Sequence, residues 1–399
     1  MGYKTTLGDV SLDGGHYGIA APAVDFKPGL PAYLRITDIS DDGTLNPSDR
    51  KSVDDSSAGN YLLHEGDIVF ARTGNSTGRN YYYDPRDGEY AYAGFLIKFS
   101  LDPRKINPRY MKYYAQSKQY WDWVSSFNTG STRGNINAKT YASMPIDLPS
   151  RQIQDAIVAI CDAIDDKIRI NRQLNDYLLE LISSVFAHRF SSNVNTTDLK
   201  NVLSISTKAL KPQEHASEIW EHYSIPAFDE KHRPVFEPAS EIKSNKYQID
   251  NECILISKLN PSTKRIWMPY CSSNNAVCST EFIVYRPYLK EYKSFYYAAI
   301  DSPRFTDYLL EHVSGSTGSR QRAQPKDTLH YLMPNPSNEE IKDFCTFADP
   351  IYRHVQINEQ QTAKLELLRD TLLPKLMSGE IDVSKVDLTQ LTNNHLTDC

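Results

Sequence analysis

Residues 150–188 read SRQIQDAIVAICDAIDDKIRINRQLNDYLLELISSVFAH, a run of 39 without glycine or proline. Apolar residues recur every three or four positions, the spacing of one helix face. With Ile157 at heptad position a, that position holds Ile157, Ile164, Asn171, Leu178 and Val185. Position d then holds Ile153, Ile160, Lys167, Leu174 and Leu181. A pattern held this long predicts a coiled-coil helix, roughly 58 Å long at ~1.5 Å per residue. The pattern returns 187 residues later, with Phe344, Ile351, Asn358, Leu365 and Leu372 at a. Phe347 and Leu368 stand at d, with Glu340, His354 and Gln361 as polar exceptions. Asn171 and Asn358 share one a position, where an asparagine fixes register at some cost in stability. Antiparallel pairing would bring these two amides together. Ser150 and Ser337 each follow a proline and sit where N-caps belong, and Gly379 closes the second helix.

The helices mark the ends of a duplication. GDIVFARTGNSTGR from Gly66 is echoed by NECILISKLNPSTKR from Asn251, an offset of 185. GSTRGN from Gly130 and GSTGSRQR from Gly315 share that offset. INRQL from Ile170 and INEQQ from Ile357 differ by 187. Before each helix, short runs such as DIVFA, AGFLIKF, CILIS and EFIVY read as strands, separated by Gly, Pro, Asn and Asp clusters. One aromatic helix-like run follows in each copy, over 107–127 and 293–312, the second broken by Pro303. Its aromatics read as core, and the acidic stretch DISDDGTLNPSDRKSVDD at 38–55 as a solvated loop. The expected class is α+β: mixed α/β segments at 1–149 and 191–336, long helices at 150–190 and 337–380 forming an antiparallel coiled coil, and a tail at 381–399.

Catalytic signatures are missing from the sequence. GNSTGRN lacks the GK[ST] ending of a phosphate loop, and no HExxH occurs. Asp229, Glu241 and Lys243 imitate a nuclease carboxylate set, and NPRY at Asn107 faintly resembles a methyltransferase motif, but both spacings are common by chance. The six cysteines form no CxxC pair, so reduced, partly buried thiols are expected rather than a metal site. MGYKTTLGDV has no apolar secretory core, and no apolar run reaches membrane-spanning length, so a cytoplasmic protein without a membrane partner is expected.

The net charge of −6 argues against nucleic-acid binding until its placement is considered. Four polar segments contain no acid: 72–79 and 128–139 carry +2 each, and 258–265 and 314–326 carry +3 each. Their residue types hold phosphates and read base edges. The first copy offers Arg72, Thr73, Asn75, Ser76, Thr77 and Arg79, then Ser131, Thr132, Arg133, Asn135 and Lys139. The second offers Lys258, Asn260, Ser262, Lys264 and Arg265, then Ser316, Thr317, Ser319, Arg320, Gln321, Arg322 and Lys326. Four such segments, paired by a repeat, favour double-stranded DNA as the ligand.

CILISKLNPSTKRIW, GSTGSRQR and LELLRDTLLPKLMSGEI, together with the alternation of mixed segments and matched helices, resemble a specificity subunit of a type I restriction–modification system. The first polar loop departs from the SKLNP form of the second. The resemblance implies a non-catalytic subunit with two target-recognition domains, each reading half of a split DNA target. It implies two bound methyltransferase subunits and, in many members, two restriction subunits. S-adenosylmethionine, ATP and Mg²⁺ would then belong to those partners. Rival readings are a self-sufficient methyltransferase or nuclease with degenerate motifs, and an interaction scaffold that does not bind DNA.

Overall fold

The structure is a computed structural model, describing residues 2–46, 49–127, 134–192, 195–314 and 321–383. Contacts divide the chain into two units, Met1–Ile168 with Lys364–Cys399, and Arg169–Ala363. The division cuts both long helices, Arg151–Phe190 and Asn338–Ser378, so each unit owns half of each. The sequence boundaries at 150, 191 and 337 follow secondary structure, whereas compactness follows what each helix half packs against.

The first unit contains an antiparallel four-stranded sheet in the order His16–Tyr17, Leu96–Ser100, Asp67–Ala71, Asn80–Tyr82. A second four-stranded sheet contains one parallel pair, Ala32–Leu34 beside Tyr90–Tyr92. Strands Tyr3–Thr6 and Pro145–Leu148 pair antiparallel and close the segment on itself. The second unit repeats the plan. Its antiparallel sheet runs Leu203–Ser206, Phe282–Pro287, Ile254–Ser257, Ile266–Trp267. Its other sheet holds the parallel pair Ile219–Tyr223 and Ala276–Ser279, and Thr196–Asp198 with Leu332–Pro334 closes it. The duplication read from weak sequence matches is thus a duplication of topology.

The aromatic runs are core: Tyr110, Tyr113, Tyr114 and Tyr120 are buried in the first unit, and Phe295 and Phe305 in the second. Pro303 does break the second run, starting a helix capped by Ser302. The first run, expected to be one helix, is also two: Pro108–Tyr114 and Lys118–Ser125. Ser117 accepts from the Tyr120 N–H and restarts the helix there, a cap that hydrophobic periodicity does not reveal. The stretch at 38–55 is more than a solvated loop. Asp38 binds Arg35, Asp41 pairs with Arg79 at 2.7 Å, and Asp42 faces Arg369 of the second long helix.

Within each unit the two helix halves run antiparallel. In the second unit Phe186 and Phe190 meet Phe344, and farther along Asn171 meets Gln361 and Asn175 meets Val355. In the first unit Ile164 and Ile168 cluster with Leu365, Leu368 and Leu372. Position a is as expected: Ile157, Ile164, Asn171, Phe344, Asn358 and Leu365 are buried, and Leu178 and Ile351 are half-buried. Position d holds only in part. Ile160 is buried, but Ile153, Leu174 and Leu181 are exposed, while Cys161, Ile168 and Ile182, one place after d, are buried. On the second helix Ala348, Val355 and Leu376 take the corresponding places. The physical reason is a second customer for each helix. Ile157, Val158 and Cys161 also pack on Tyr110, Met111 and Leu148, and Phe186 and Phe190 on Phe295. Serving a helix and a globular core needs the broad face of a 3.6-residue period, not the narrow 3.5-residue seam.

The asparagines lie in the interface, 1% and 5% exposed, and meet there, Asn171 Nδ2 lying 3.5 Å from Asn358 O, but their side-chain amides pair with other partners. Asn171 Nδ2 donates to Gln361 Oε1 at 2.9 Å, and Asn358 Nδ2 donates to Asn175 Oδ1 at 2.8 Å. Gln361, a polar exception at d, is therefore a partner. Glu340, another exception, closes a capping box. Its carboxylate accepts from the Ser337 N–H and hydroxyl, and Ser337 Oγ accepts from the Glu340 N–H. Gly379, at φ +74°, ends the helix where a side chain would be strained.

Candidate nucleic-acid interface

The structure joins the two polar segments of each copy. After strand Asp67–Ala71 the chain turns at Gly74 and returns at Gly78, whose φ of +91° and closeness to Val124 and Trp121 leave no room for a Cβ. Thr73 bridges to Asn135, the Ile136 N–H donates to Arg72 O at 2.9 Å, and Thr77 Oγ1 donates to Gly134 O at 2.9 Å. In the second copy Leu259 bridges to Arg322, the Ala323 N–H donates to Lys258 O at 2.9 Å, and the Asn260 N–H donates to Gln321 O at 2.9 Å. Asn260, at φ +48°, makes the left-handed turn that glycine makes in the first loop. Each loop also holds a buried polar atom, Arg72 Nε or Asn260 Oδ1, with no hydrogen-bond partner among the described residues.

The side chains fall into two groups. Arg79 pairs with Asp41, Lys264 with Asp301 at 2.5 Å, Arg265 with Asp229 at 2.6 and 2.9 Å, and Arg322 with Glu281 at 3.1 Å. The segments carry no acid of their own, but tertiary structure supplies one to each of these four cations. The expectation of uncompensated positive loops is corrected to that extent. Burial pushes the Asp301 carboxyl up, against the pull of Lys264. Lys139, Lys258 and Lys326 carry no ion pair among the described residues, and Arg72 lies 4.9 Å over the Tyr17 ring. Asn75, Asn135 and Ser262 are exposed, and Thr73, Ser76, Thr77 and Gln321 are half-buried. Ser131, Thr132, Arg133, Ser316, Thr317, Ser319 and Arg320 lie outside the described residues.

Sequence reasoning missed Tyr17, from strand His16–Tyr17, and Phe95 and Glu281, which immediately precede strands Leu96–Ser100 and Phe282–Pro287. Phe95 is 59% exposed and accepts the Arg72 N–H through its carbonyl at 3.0 Å. Glu281 accepts the Lys258 N–H in the same way at 2.9 Å. Only the fold brings them to the loops.

The nuclease imitation dissolves, since Asp229 is committed to Arg265, and Asn107 of NPRY caps a helix. Among the described residues no group of three His, Cys, Asp or Glu side chains could hold a metal ion. Cys161, Cys253, Cys271, Cys278 and Cys345 are free thiols, and burial pushes Cys161, Cys253 and Cys271 up to about 12. No helix among the described residues is long and apolar enough to cross a membrane.

Comparison with known proteins agrees with this construction. Residues 43–180 match the type I restriction modification DNA specificity domain. The specificity subunit of the type I restriction enzyme MjaIX of Methanocaldococcus jannaschii is 20% identical over 308 residues, 69% of this chain and 70% of that one. The HindI specificity subunit of Haemophilus influenzae is 21% identical over 131 residues, 32% of this chain and 28% of that one. The crystal structure of a type I S subunit from M. genitalium shares the fold at a TM-score of 0.56 and 16% identity, covering 94% of this chain and 96% of that one. The chain is thus similar to type I restriction–modification specificity subunits in sequence and in fold, and its residues 43–180 match their DNA specificity domain.

Proposed function

We propose that the chain reads a split double-stranded DNA target, one half with each recognition segment, and directs methyltransferase and restriction subunits to it. One observation carries the reading. Both copies build the same two-segment platform, with equivalent backbone bridges at Thr73–Asn135 and Leu259–Arg322. Solvent-facing turns have no reason to be cross-braced twice in one way. Bracing fixes the backbone so that side chains such as Asn135 and Arg322 meet a base edge without first being ordered, and that ordering cost would otherwise reduce affinity.

The long helices would hold the methyltransferase subunits. Beside the seam, Ile168, Ile182 and Phe186 are buried inside the chain and Leu179 is half-buried. One row remains exposed. Ile170, Leu174, Tyr177 and Leu181 are 37–68% exposed at spacings of four, three and four, one stripe on the first helix. S-adenosylmethionine, ATP and Mg²⁺ would be bound by the partner subunits, and methylation would act on a base turned out of the duplex into a partner's site.

The test uses targets mutated in one half at a time, with binding measured at several salt concentrations. Arg72→Ala should weaken or relax recognition of one half, and Lys258→Ala of the other, each lowering the salt slope by about 1 if the contact is to phosphate. Lesions that change preference at the same bases would disprove the two-half reading. Unchanged affinity and slope in both variants would mean that the platforms do not touch DNA.

A further inference from the structure

The backbone bridges align the two platforms residue by residue. Arg72 and Lys258 each donate N–H to the residue just before a strand of their sheet, Phe95 before Leu96–Ser100 and Glu281 before Phe282–Pro287. Each then accepts, through its carbonyl, from Ile136 or Ala323. Thr73 faces Asn135, as Leu259 faces Arg322. Phe95 is therefore the counterpart of Glu281, and Asn135 the counterpart of Arg322. The backbone is shared and the chemistry is not.

We infer that the pairs Phe95–Asn135 and Glu281–Arg322 are the specificity-determining residues of the two halves, the first favouring an A·T pair and the second a G·C pair. The inference rests on the DNA reading above. An asparagine amide presents one donor and one acceptor, matching N6 and N7 of adenine, and an apolar ring fits the thymine methyl. Asn135 is exposed while its backbone is fixed by the bridge. Phe95 is 59% exposed next to Arg72, so folding gives its ring little of the burial that usually retains a phenylalanine. In the second platform the Arg322 fork suits guanine O6 and N7, and a carboxylate accepts from cytosine N4. Glu281 meets Arg322 with both oxygens, at 3.1 and 3.3 Å, and side-chain exposures of 47% for Arg322 and 29% for Glu281 keep the pair in reach of a groove. The pair also discriminates by repulsion. A sequence that cannot satisfy Arg322 leaves the Glu281 carboxylate against the DNA, a penalty that falls on wrong sites.

The experiment is selection of bound duplexes from a randomised double-stranded library by the full chain, followed by sequencing. The wild-type chain should enrich a split motif with A·T in one half and G·C in the other. Phe95→Ala and Asn135→Ala should each reduce the A·T preference about 5- to 150-fold, the range of one good base contact, without altering the other half. Glu281→Gln and Arg322→Ala should do the same to the G·C preference alone. Phe95, Asn135 and Arg322 are exposed and Glu281 is half-buried, and Phe95→Leu, which keeps an apolar contact, should retain most of the A·T preference. A split motif unaltered by these variants overturns this inference and leaves the DNA reading standing. A wild-type chain that enriches no motif overturns both.

Discussion

Phe186→Ala tests which residues hold the second recognition segment to the helix pair. The Phe186 ring is 6% exposed, with the rings of Phe190, Phe295 and Phe344 at 5.3, 5.4 and 5.6 Å. Those neighbours belong to the first long helix, the recognition segment and the second long helix, so one side chain joins three elements. Truncating a buried phenylalanine costs about 3–5 kcal/mol, because the lost transfer energy adds to that of the cavity. Three aromatic contacts favour the upper part of the range, though their contributions do not simply add. For a unit of this size about 4 kcal/mol lowers the melting temperature by about 10 °C. Leu181→Ala is the matched control. The coiled-coil pattern buries Leu181 at d, whereas in the structure it is 45% exposed, so its truncation should cost less than about 0.5 kcal/mol. The assay is urea unfolding combined with hydrogen exchange read peptide by peptide. Protection should fall in 169–363 for Phe186→Ala and stay unchanged for Leu181→Ala. A loss below about 1 kcal/mol for Phe186→Ala, or a larger loss for Leu181→Ala, would show that the 3.5-residue seam is the correct one.

The first segment is fastened by charge as well as by apolar packing. Asp162 meets Arg109 and Tyr113, and Asp165 meets Lys112, Tyr113 and Arg369. Burial pushes the Asp165 carboxyl up, but Lys112 and Arg369 outweigh it and hold the group below its ordinary value. A carboxylate depressed on folding stabilises above the ordinary value of about 3.9 and loses that contribution as pH falls through the folded value. The first unit should therefore weaken from about pH 5 downward in thermal melts. Asp165→Asn should cost about 3 kcal/mol at neutral pH and flatten that part of the acid limb, and an unaltered limb would refute the assignment. For the exposed stripe, Leu174→Ser with Tyr177→Ser should abolish co-purification of a methyltransferase subunit while leaving the melting temperature within about 2 °C. Retained co-purification would place docking elsewhere.

The sequence by itself determined the elements and their repetition. Periodicity located both long helices, Ser337 and Gly379 marked the ends of the second, and the offset of 185 to 187 residues exposed the duplication. Position a of the seam was legible because burial at a is common to a coiled coil and to a helix laid on a globular core. Position d was legible only in part, at Ile160, since which side of a drifts inward depends on what else the helix must cover, and Tyr110 and Phe295 lie far from it in sequence. The same distance hid half of each platform. Arg79, Lys264, Arg265 and Arg322 look unopposed in sequence because their acids, Asp41, Asp301, Asp229 and Glu281, are 36 to 41 residues away. Local spacing fixes which side chains a segment can present. Which of them remain available to a ligand was decided only by the tertiary structure, because charges and rings are neutralised or exposed by neighbours in space rather than in sequence.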